Sequence, residues 1–243
     1  MKKLLLALFA MAGITAAHAQ VSGNLGLASD YRFRGISQSQ NAPAVQGGVD
    51  YAHSSGFYVG NWNSSVSSQV YTNGSGVESD LYAGYKKEVY KGISIDVGTY
   101  NYFYPRATTT ARTGSNFDTY EGFVGLSYND LVSAKYSRTL GAGYFGTANA
   151  QGTTYTQADA KLPVPTIKNL SVVAHAGRTN VANSTALDYS DYNAGIAYAL
   201  PQGWEGTVKY YTNTTTGTFE TANIVNGQKL YRNATVFTVA KTF

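Results

Sequence analysis

Apolar and polar side chains alternate with a period of two through most of the chain after residue 20. In the segment Val21–Phe33, the apolar set includes Tyr31 and Phe33, and the polar set includes Asp30 and Arg32. A period of two places successive side chains on opposite faces of a β-strand. The pattern predicts strands at Val21–Phe33, Ala44–Ala52, Phe57–Val66, Glu78–Glu88, Gly92–Tyr104, Phe117–Tyr128, Leu131–Leu140, Thr153–Leu162, Asn169–Thr179, Tyr189–Ala199, Trp204–Asn213 and Asn233–Phe243.

Short and long connections alternate strictly between these segments. The long connections are rich in Gly, Ser, Thr and Asn and cover Arg34–Pro43, Ser67–Val77, Pro105–Asn116, Gly141–Gly152, Asn180–Asp188 and Thr214–Arg232. A barrel that crosses a membrane has short turns at its periplasmic rim and long loops outside. We therefore predict an all-β fold, a transmembrane antiparallel up-and-down β-barrel of about 12 strands with both termini in the periplasm.

The outward face can be assigned where the alternation is cleanest. Tyr192, Ile196 and Tyr198 form an apolar set with aromatic residues at both ends, opposite Asp191. Such a set is typical of a lipid-facing surface between two aromatic girdles. A soluble barrel of the lipocalin kind would turn the apolar set inward, and alternation alone does not separate the two. In Phe57–Val66 the pattern predicts no outward set, because aromatic residues occur on both faces.

The N-terminus has the features of a secretory signal peptide. Lys2 and Lys3 precede an apolar run from Leu4 to Ala12, and Ala17-His18-Ala19 is a small-x-small cleavage site. We predict a cleaved signal peptide at residues 1–19 and one barrel domain at residues 20–243. The signal, the aromatic girdles and the terminal aromatic Phe243 favour the membrane barrel. We also expect Phe243 to be read by the barrel-assembly machinery.

Composition narrows the possible functions. The chain has 18 basic and 14 acidic residues, and two of the basic ones lie in the predicted signal peptide. With no basic run, it has no electrostatic footprint for nucleic acid. The absence of cysteine excludes disulfides and thiolate metal sites. The 21 tyrosines and 26 glycines suit a sheet with aromatic girdles and close strand contacts.

The predicted inward face carries charges of both signs and several tyrosines. The pore-lining candidates are Asp30, Arg32, Arg34, Glu78, Asp80, Asp96, Tyr100, Tyr102, Glu121, Lys135, Asp159, His175, Asp191 and Lys209. Charged side chains at membrane depth require water or a partner. The interior is therefore either a water-filled channel or a core of salt-bridged side chains, and twelve strands allow both. The inward tyrosines are either a stacking surface for sugars or planar solutes, or filler.

The motif Asp30-x-Arg32-x-Arg34 has two interpretations. On one face near the outer mouth, two guanidinium groups would attract anions and could narrow the pore. Alternatively, Arg32 and Arg34 pair with Glu78 or Asp80 and hold the shape of the barrel.

The sequence contains no convincing catalytic or metal-binding pattern. His53 and Ser55 lie two residues apart, but in a predicted periplasmic turn with no third member of a catalytic set. The glycine spacing Gly141-x-Gly143-x-x-Gly146 is that of a dinucleotide-binding motif. No helix pattern follows it, so the structural context that this motif requires is missing. We predict no enzyme activity, no cofactor and no metal.

Three stretches near the N-terminus resemble the signature of a known family. They are Ser29–Gln38, Pro43–Gly48 and Ser55–Gly60. They resemble the proteobacterial outer-membrane family Gcw_chp, which is also labelled the TorF family of proposed porins. The motif match extends to about Trp62, and beyond it the resemblance is in length, hairpin rhythm and the terminal Phe243. It implies a Gram-negative outer-membrane barrel with a porin or transport role, in contact with lipid and lipopolysaccharide. It implies no substrate and no catalytic residues.

The leading hypothesis is a channel for passive diffusion of small hydrophilic solutes through a lumen of mixed charge. The alternative is a non-transporting barrel with a structural or adhesive role exerted through its outer loops. An enzyme acting on lipid or lipopolysaccharide is a third class. The sequence predicts no particular solute, pore diameter or oligomeric state.

Overall fold

The computed structural model describes residues 20–108 and 116–243. Twelve strands form its main body, as the alternation predicts. They are β1 (Gln20–Ala28), β2 (Ala44–Ala52), β3 (Phe57–Ser65), β4 (Val77–Tyr90), β5 (Ile93–Phe103), β6 (Thr119–Tyr128), β7 (Val132–Thr139), β8 (Thr154–Pro163), β9 (Leu170–Asn180), β10 (Tyr189–Ala199), β11 (Trp204–Asn213) and β12 (Ala234–Thr242). The predicted signal peptide lies outside the described residues and remains a prediction.

The strands close into a barrel in which all neighbouring strands are antiparallel. Each strand pairs with the strands before and after it in sequence, and the barrel closes where β1 pairs with β12. At this closure Asn24 is opposite Thr242, and Ala28 is opposite Thr238. The pairing continues to the last residue, since Gly23 and Phe243 exchange two backbone hydrogen bonds of 2.8 and 3.0 Å. A closed sheet has no unpaired edge, which is the requirement for a sheet in lipid.

The two rims differ in the length of their connections. The rim that carries Gln20 and Phe243 has only short turns, and we call it the turn rim. The opposite loop rim carries the long connections, including a short helix, Thr218–Ala222. We expect the turn rim to face the periplasm. In the two described ranges no helix is long and apolar enough to cross a membrane.

The outer surface of the barrel is apolar over its middle. Exposed aliphatic residues of this band are Val21, Leu25, Leu27, Val45, Val49, Val59, Leu81, Val97, Val124, Leu126, Val172, Ile196 and Val239. Exposed aromatic residues lie towards both rims, among them Tyr51, Phe57, Tyr128, Tyr198, Trp204, Tyr120, Tyr192 and Tyr210. This arrangement is that of a barrel in lipid and not of a soluble barrel. The structure also shows which face of β3 is outward, which the alternation did not predict. Phe57 and Val59 face outward, and Gly60 and Ser64 face inward.

The first strand is shorter than predicted. It ends at Ala28 and not at Phe33, and the chain then turns into the barrel. Tyr31 and Phe33, which alternation placed with the lipid-facing set, are 2% and 9% exposed inside the barrel. The backbone N–H of Tyr31 donates to the hydroxyl of Ser39, a side-chain bond that replaces continued pairing in the sheet.

Candidate functional site in the barrel lumen

The connection between β1 and β2, residues 29–43, folds inward, and we call it the plug loop. Its tip is a small hairpin in which Arg32–Phe33 pairs with Ile36–Ser37. Arg34 and Gly35 have φ angles of 48° and 78°, as the two central residues of a type I′ turn require. The two strands of the hairpin are not part of the barrel sheet, and the N–H of Ser37 also donates to the backbone carbonyl of Leu230 in the last long loop, at 3.0 Å.

Asp30 holds the base of this hairpin together. Its carboxylate accepts hydrogen bonds from Arg32 Nε at 2.8 Å and from the hydroxyls of Ser37 and Ser39 at 2.6 and 3.3 Å. Arg32 also donates to the backbone carbonyl of Arg232 at 2.6 Å, which joins the plug loop to the last long loop. Asp30 and Arg32 are thus engaged with each other and with loops.

Arg34 reaches from the plug loop to the far wall of the barrel. Its guanidinium donates two hydrogen bonds to Glu121 of β6, at 2.9 and 2.6 Å, and one to the hydroxyl of Tyr144 at 2.9 Å. The guanidinium also lies 4.1 Å from the ring centre of Tyr155 on β8. Burial alone would lower the pKa of Arg34, but the Glu121 carboxylate raises it above the ordinary value. The guanidinium therefore stays charged, and the two-bond geometry is the strong form of such a pair.

The rest of the plug loop contacts other sectors of the wall. The ring of Tyr31 packs edge-on against Trp62 of β3 at 5.4 Å, and Phe33 packs against Tyr102 of β5 at 5.2 Å. A Cβ atom at Gly35 would lie 2.7 Å from the Cβ of Asp191 on β10. Together with Arg34, these contacts reach strands all round the barrel, so the plug loop spans the lumen.

Other loops complete the filling of the half nearest the loop rim. Phe145, from the connection between β7 and β8, contacts both Phe33 and Tyr102, at 5.3 and 5.1 Å. Tyr71 stacks on Tyr104 at 4.2 Å. On the outer side of the plug loop these segments leave a cavity of about 290 Å³, whose wall includes Phe33 and Phe219. The aromatic side chains here act as packing material.

The half nearest the turn rim is polar, and part of its wall is reachable by water. Lys161 of β8 pairs with Glu205 of β11 at 2.6 Å. His175 of β9 lies between two carboxylates, with Nδ1 at 2.6 Å from Asp159 and Nε2 at 3.0 Å from Asp191. The Asp159 side chain is 40% exposed although it faces inward, so the inner wall is open to solvent here.

Some inner-wall charges in this half have no oppositely charged partner within 4 Å in the described residues. The cations are Lys135 of β7 and Lys209 of β11, and Lys135 lies 5.4 Å from the ring centre of Phe123. The carboxylates are Asp50 and Asp96. They accept hydrogen bonds from tyrosine hydroxyls, Tyr82 to Asp50 at 2.5 Å and Tyr58 to Asp96 at 2.9 Å.

The structure places the predicted inward residues inside the barrel but divides them into two groups. Asp30, Arg32 and Arg34 belong to a plug that occupies the lumen, whereas Lys135, Asp159, His175 and Lys209 lie on the wall of the open half. The proposed pairing of the arginines with Glu78 or Asp80 is wrong, because Arg32 pairs with Asp30 and Arg34 with Glu121. Because the chain turns inward after Ala28, Asp30 and Glu121 lie closer to the two guanidinium groups than Glu78 and Asp80 do.

Sequence analysis missed three residues that contribute to the closed half of the lumen. Tyr144 and Phe145 lie in the glycine-rich connection that looked like an outer loop only, and they pack inside the barrel. The ring of Tyr155 contacts the Arg34 guanidinium. Its inward position was predictable, because Tyr155 lies an even number of residues from the inward Asp159 in β8. For Tyr144 and Phe145 no periodic signal exists.

The other chemical candidates lie apart from the lumen or form no site. His53 Nδ1 and Ser55 Oγ are 2.7 Å apart in an exposed turn at the turn rim, where they shape the hairpin. Among the described residues no group of three or more His, Asp or Glu side chains is arranged to hold a metal ion.

A closed antiparallel barrel of twelve strands with an apolar outer band belongs to the class of outer-membrane β-barrels. The chain is a member of the family described as "Bacterial protein of unknown function (Gcw_chp)", whose model matches residues 12–243. This confirms the family expected from the N-terminal motif.

Solved porins share the fold. The KdgM porin has a TM-score of 0.56 at 10% identity, covering 91% of this chain and 98% of that one. The same porin in complex with disordered oligogalacturonate has a TM-score of 0.54 at 10% identity, covering 92% and 97%. The NanC porin has a TM-score of 0.53 at 9% identity, covering 92% and 99%. No curated protein matches the chain. At these identities the similarity concerns the fold.

Proposed function

We propose that this protein is an outer-membrane channel for passive diffusion of small hydrophilic solutes, and that its plug loop holds it closed. The half nearest the turn rim supplies a hydrated inner wall with charges of both signs. The half nearest the loop rim is shut by the plug loop. Conduction therefore requires the plug loop to move.

One observation carries this proposal. The hairpin of the plug loop makes no strand pairing with the barrel, and its contacts with the wall are side-chain hydrogen bonds, ring contacts and the Arg34–Glu121 pair. The barrel ladder is complete without the hairpin. The plug loop can therefore leave the lumen without breaking the sheet. Water can replace the hydrogen bonds that it loses, including those of Ser37 to Leu230 and of Ser67 to Gln38, whereas the ring contacts and the buried Arg34–Glu121 pair are the cost of opening.

The second candidate is a non-transporting barrel. The filling of the loop-rim half by aromatic side chains favours it, because a permanent core would look the same in one conformation. The two candidates predict different results when the plug loop is loosened. A gated channel then conducts, whereas a permanent core loses stability without conducting.

The test is planar-bilayer recording of the refolded protein and of the variant Arg34→Ala. Loss of the guanidinium leaves the Glu121 carboxylate buried without its partner in the closed state, which raises the free energy of that state. Opening exposes the carboxylate to water and removes this penalty. We expect discrete conductance steps whose open fraction rises roughly ten- to a hundredfold in the variant. Arg106→Ala is the control, since Arg106 is exposed in another connection between strands. Heat-dependent electrophoretic mobility verifies that each barrel is folded. A folded Arg34→Ala barrel that stays silent would disprove the channel.

A further inference from the structure

Two carboxylates behind the plug loop are buried without a basic partner among the described residues. Glu78 and Asp80 face inward from β4 near the loop rim, and both are 0% exposed. Within the described residues, neither has a lysine, arginine or histidine nitrogen within 4 Å. Glu121, Asp191 and Glu205, by contrast, each have one.

The surroundings of this carboxylate pair are aromatic. The hydroxyl of Tyr31 in the plug loop donates to Glu78 Oε1 at 3.1 Å, and Tyr104 lies beside the same carboxylate. In the part of the chain that the structure describes, no hydrogen bond of good geometry reaches Glu78 Oε2, the two Asp80 carboxylate oxygens or the Tyr104 hydroxyl, all of which are buried. The hydroxyls of Tyr104 and Tyr100 lie beside Glu78 and Asp80, but these donors are neutral, and no positive charge of the described residues balances the two carboxylates.

Burying a carboxylate in its charged form is costly unless a positive charge or a set of donors compensates it. Two carboxylates on one strand, two residues apart and on the same face, repel each other as well. Either protons neutralise them or a cation lies between them.

We propose that Glu78 and Asp80 bind a divalent cation of the Ca²⁺ type. The combined charge of the two carboxylates matches that of the ion. Ca²⁺ accepts a flexible shell of carboxylate, neutral oxygen and water ligands, which the unpartnered oxygens of the pair and of Tyr104 can begin to supply. Because the Tyr31 hydroxyl of the plug loop donates to Glu78, and Tyr104 belongs to the connection after β5, an ion held by the pair would lie where the plug loop meets the wall.

The experiment uses Tb³⁺, which replaces Ca²⁺ and luminesces when an aromatic side chain nearby is excited. The full-length barrel is refolded with and without Tb³⁺, so that access to the buried site does not restrict binding. We expect saturable luminescence on excitation of tyrosine and tryptophan, since Trp62 and several tyrosines surround the site. An excess of Ca²⁺ should remove the signal.

The variant Glu78→Gln/Asp80→Asn keeps the shape of both side chains and removes their charge, and we expect it to lose at least nine-tenths of the luminescence. The matched control is Asp50→Asn/Asp96→Asn, which removes two inner carboxylates from the open half and should keep the signal. An equal loss in both variants would mean diffuse binding and would overturn the proposal.

A readout without mutation keeps the test decisive if a variant fails to fold. We expect Ca²⁺ to raise the unfolding temperature of the unmodified barrel relative to a chelator by several degrees, as ligand binding to the native state does. No luminescence and no shift in temperature would show that the carboxylates are neutralised by protons, and the cation site would be discarded.

Discussion

At the scale of single residues, the closure of the lumen depends on how the tip of the plug loop fits the wall. Gly35 has a positive φ of 78°, and a Cβ at this position would lie 2.7 Å from the Cβ of Asp191. Gly227 in the last long loop has a similar φ of 75°, but a Cβ there would have no atom within 4 Å. The two glycines share a conformation and differ in their surroundings.

We predict that Gly35→Ala loosens the plug loop and that Gly227→Ala does not. Both changes carry the cost of a positive φ, about 1 kcal/mol, but only Gly35→Ala adds a steric clash with the wall. The measurement is trypsin cleavage after Arg32 and Arg34, which are only 9% exposed while the loop is inside. Cleavage there should be severalfold faster in Gly35→Ala than in the unmodified protein. Equal rates in the two glycine variants would contradict a close fit of Gly35 against Asp191.

At the scale of strands, the inner faces of β7 and β11 carry Lys135 and Lys209, which have no carboxylate within 4 Å among the described residues. Lys135 and Lys209 should attract anions into the open half of the lumen, whereas Lys161 is balanced by Glu205. We predict that Lys135→Gln/Lys209→Gln shifts the reversal potential in a KCl gradient towards that of a cation-selective pore. The ratio of cation to anion permeability should rise about two- to fivefold, since each of these half-buried charges is worth about 1 kcal/mol.

The control for this shift is Lys161→Gln/Glu205→Gln, which removes a pair and leaves the net charge unchanged. Both variants are made in the Arg34→Ala background, so that every barrel is recorded with the plug loop released. If the control shifts the potential as far as the lysine variant, local geometry and not charge sets the selectivity.

Strands were predictable from sequence because their signal is local. One face of each strand meets lipid and the other meets polar surroundings, so alternation marks both the strand and its orientation, as in Tyr189–Ala199. The plug loop was not predictable in this way. Its alternation continues through Tyr31 and Phe33, and the position of Arg34 depends on Glu121, a partner 87 residues away. Contacts of this kind have no periodic signature.

At the scale of the whole molecule, closure of the barrel brings the C-terminus to the first strand. Phe243 exchanges two backbone hydrogen bonds with Gly23, yet the residue as a whole is 72% exposed at the turn rim. The inner pairing from Asn24 to Ala28 is independent of it. Phe243 therefore contributes little to the finished barrel, and its expected role as an assembly signal is separable from its structural role.

We predict that deletion of Phe243 lowers the yield of barrel inserted in the cell but hardly changes the stability of protein refolded in detergent. Two hydrogen bonds at an exposed rim are worth about 1 kcal/mol each at most, a small part of the stability of a closed sheet. The measurements are the amount of folded barrel in outer-membrane fractions and the unfolding temperature of refolded protein. Phe237→Ala is the control, because Phe237 is an exposed aromatic residue of the same strand away from the terminus. It should leave the membrane yield unchanged. If deletion of Phe243 lowers the unfolding temperature in proportion to the yield, the residue acts by closing the barrel and not by directing its assembly.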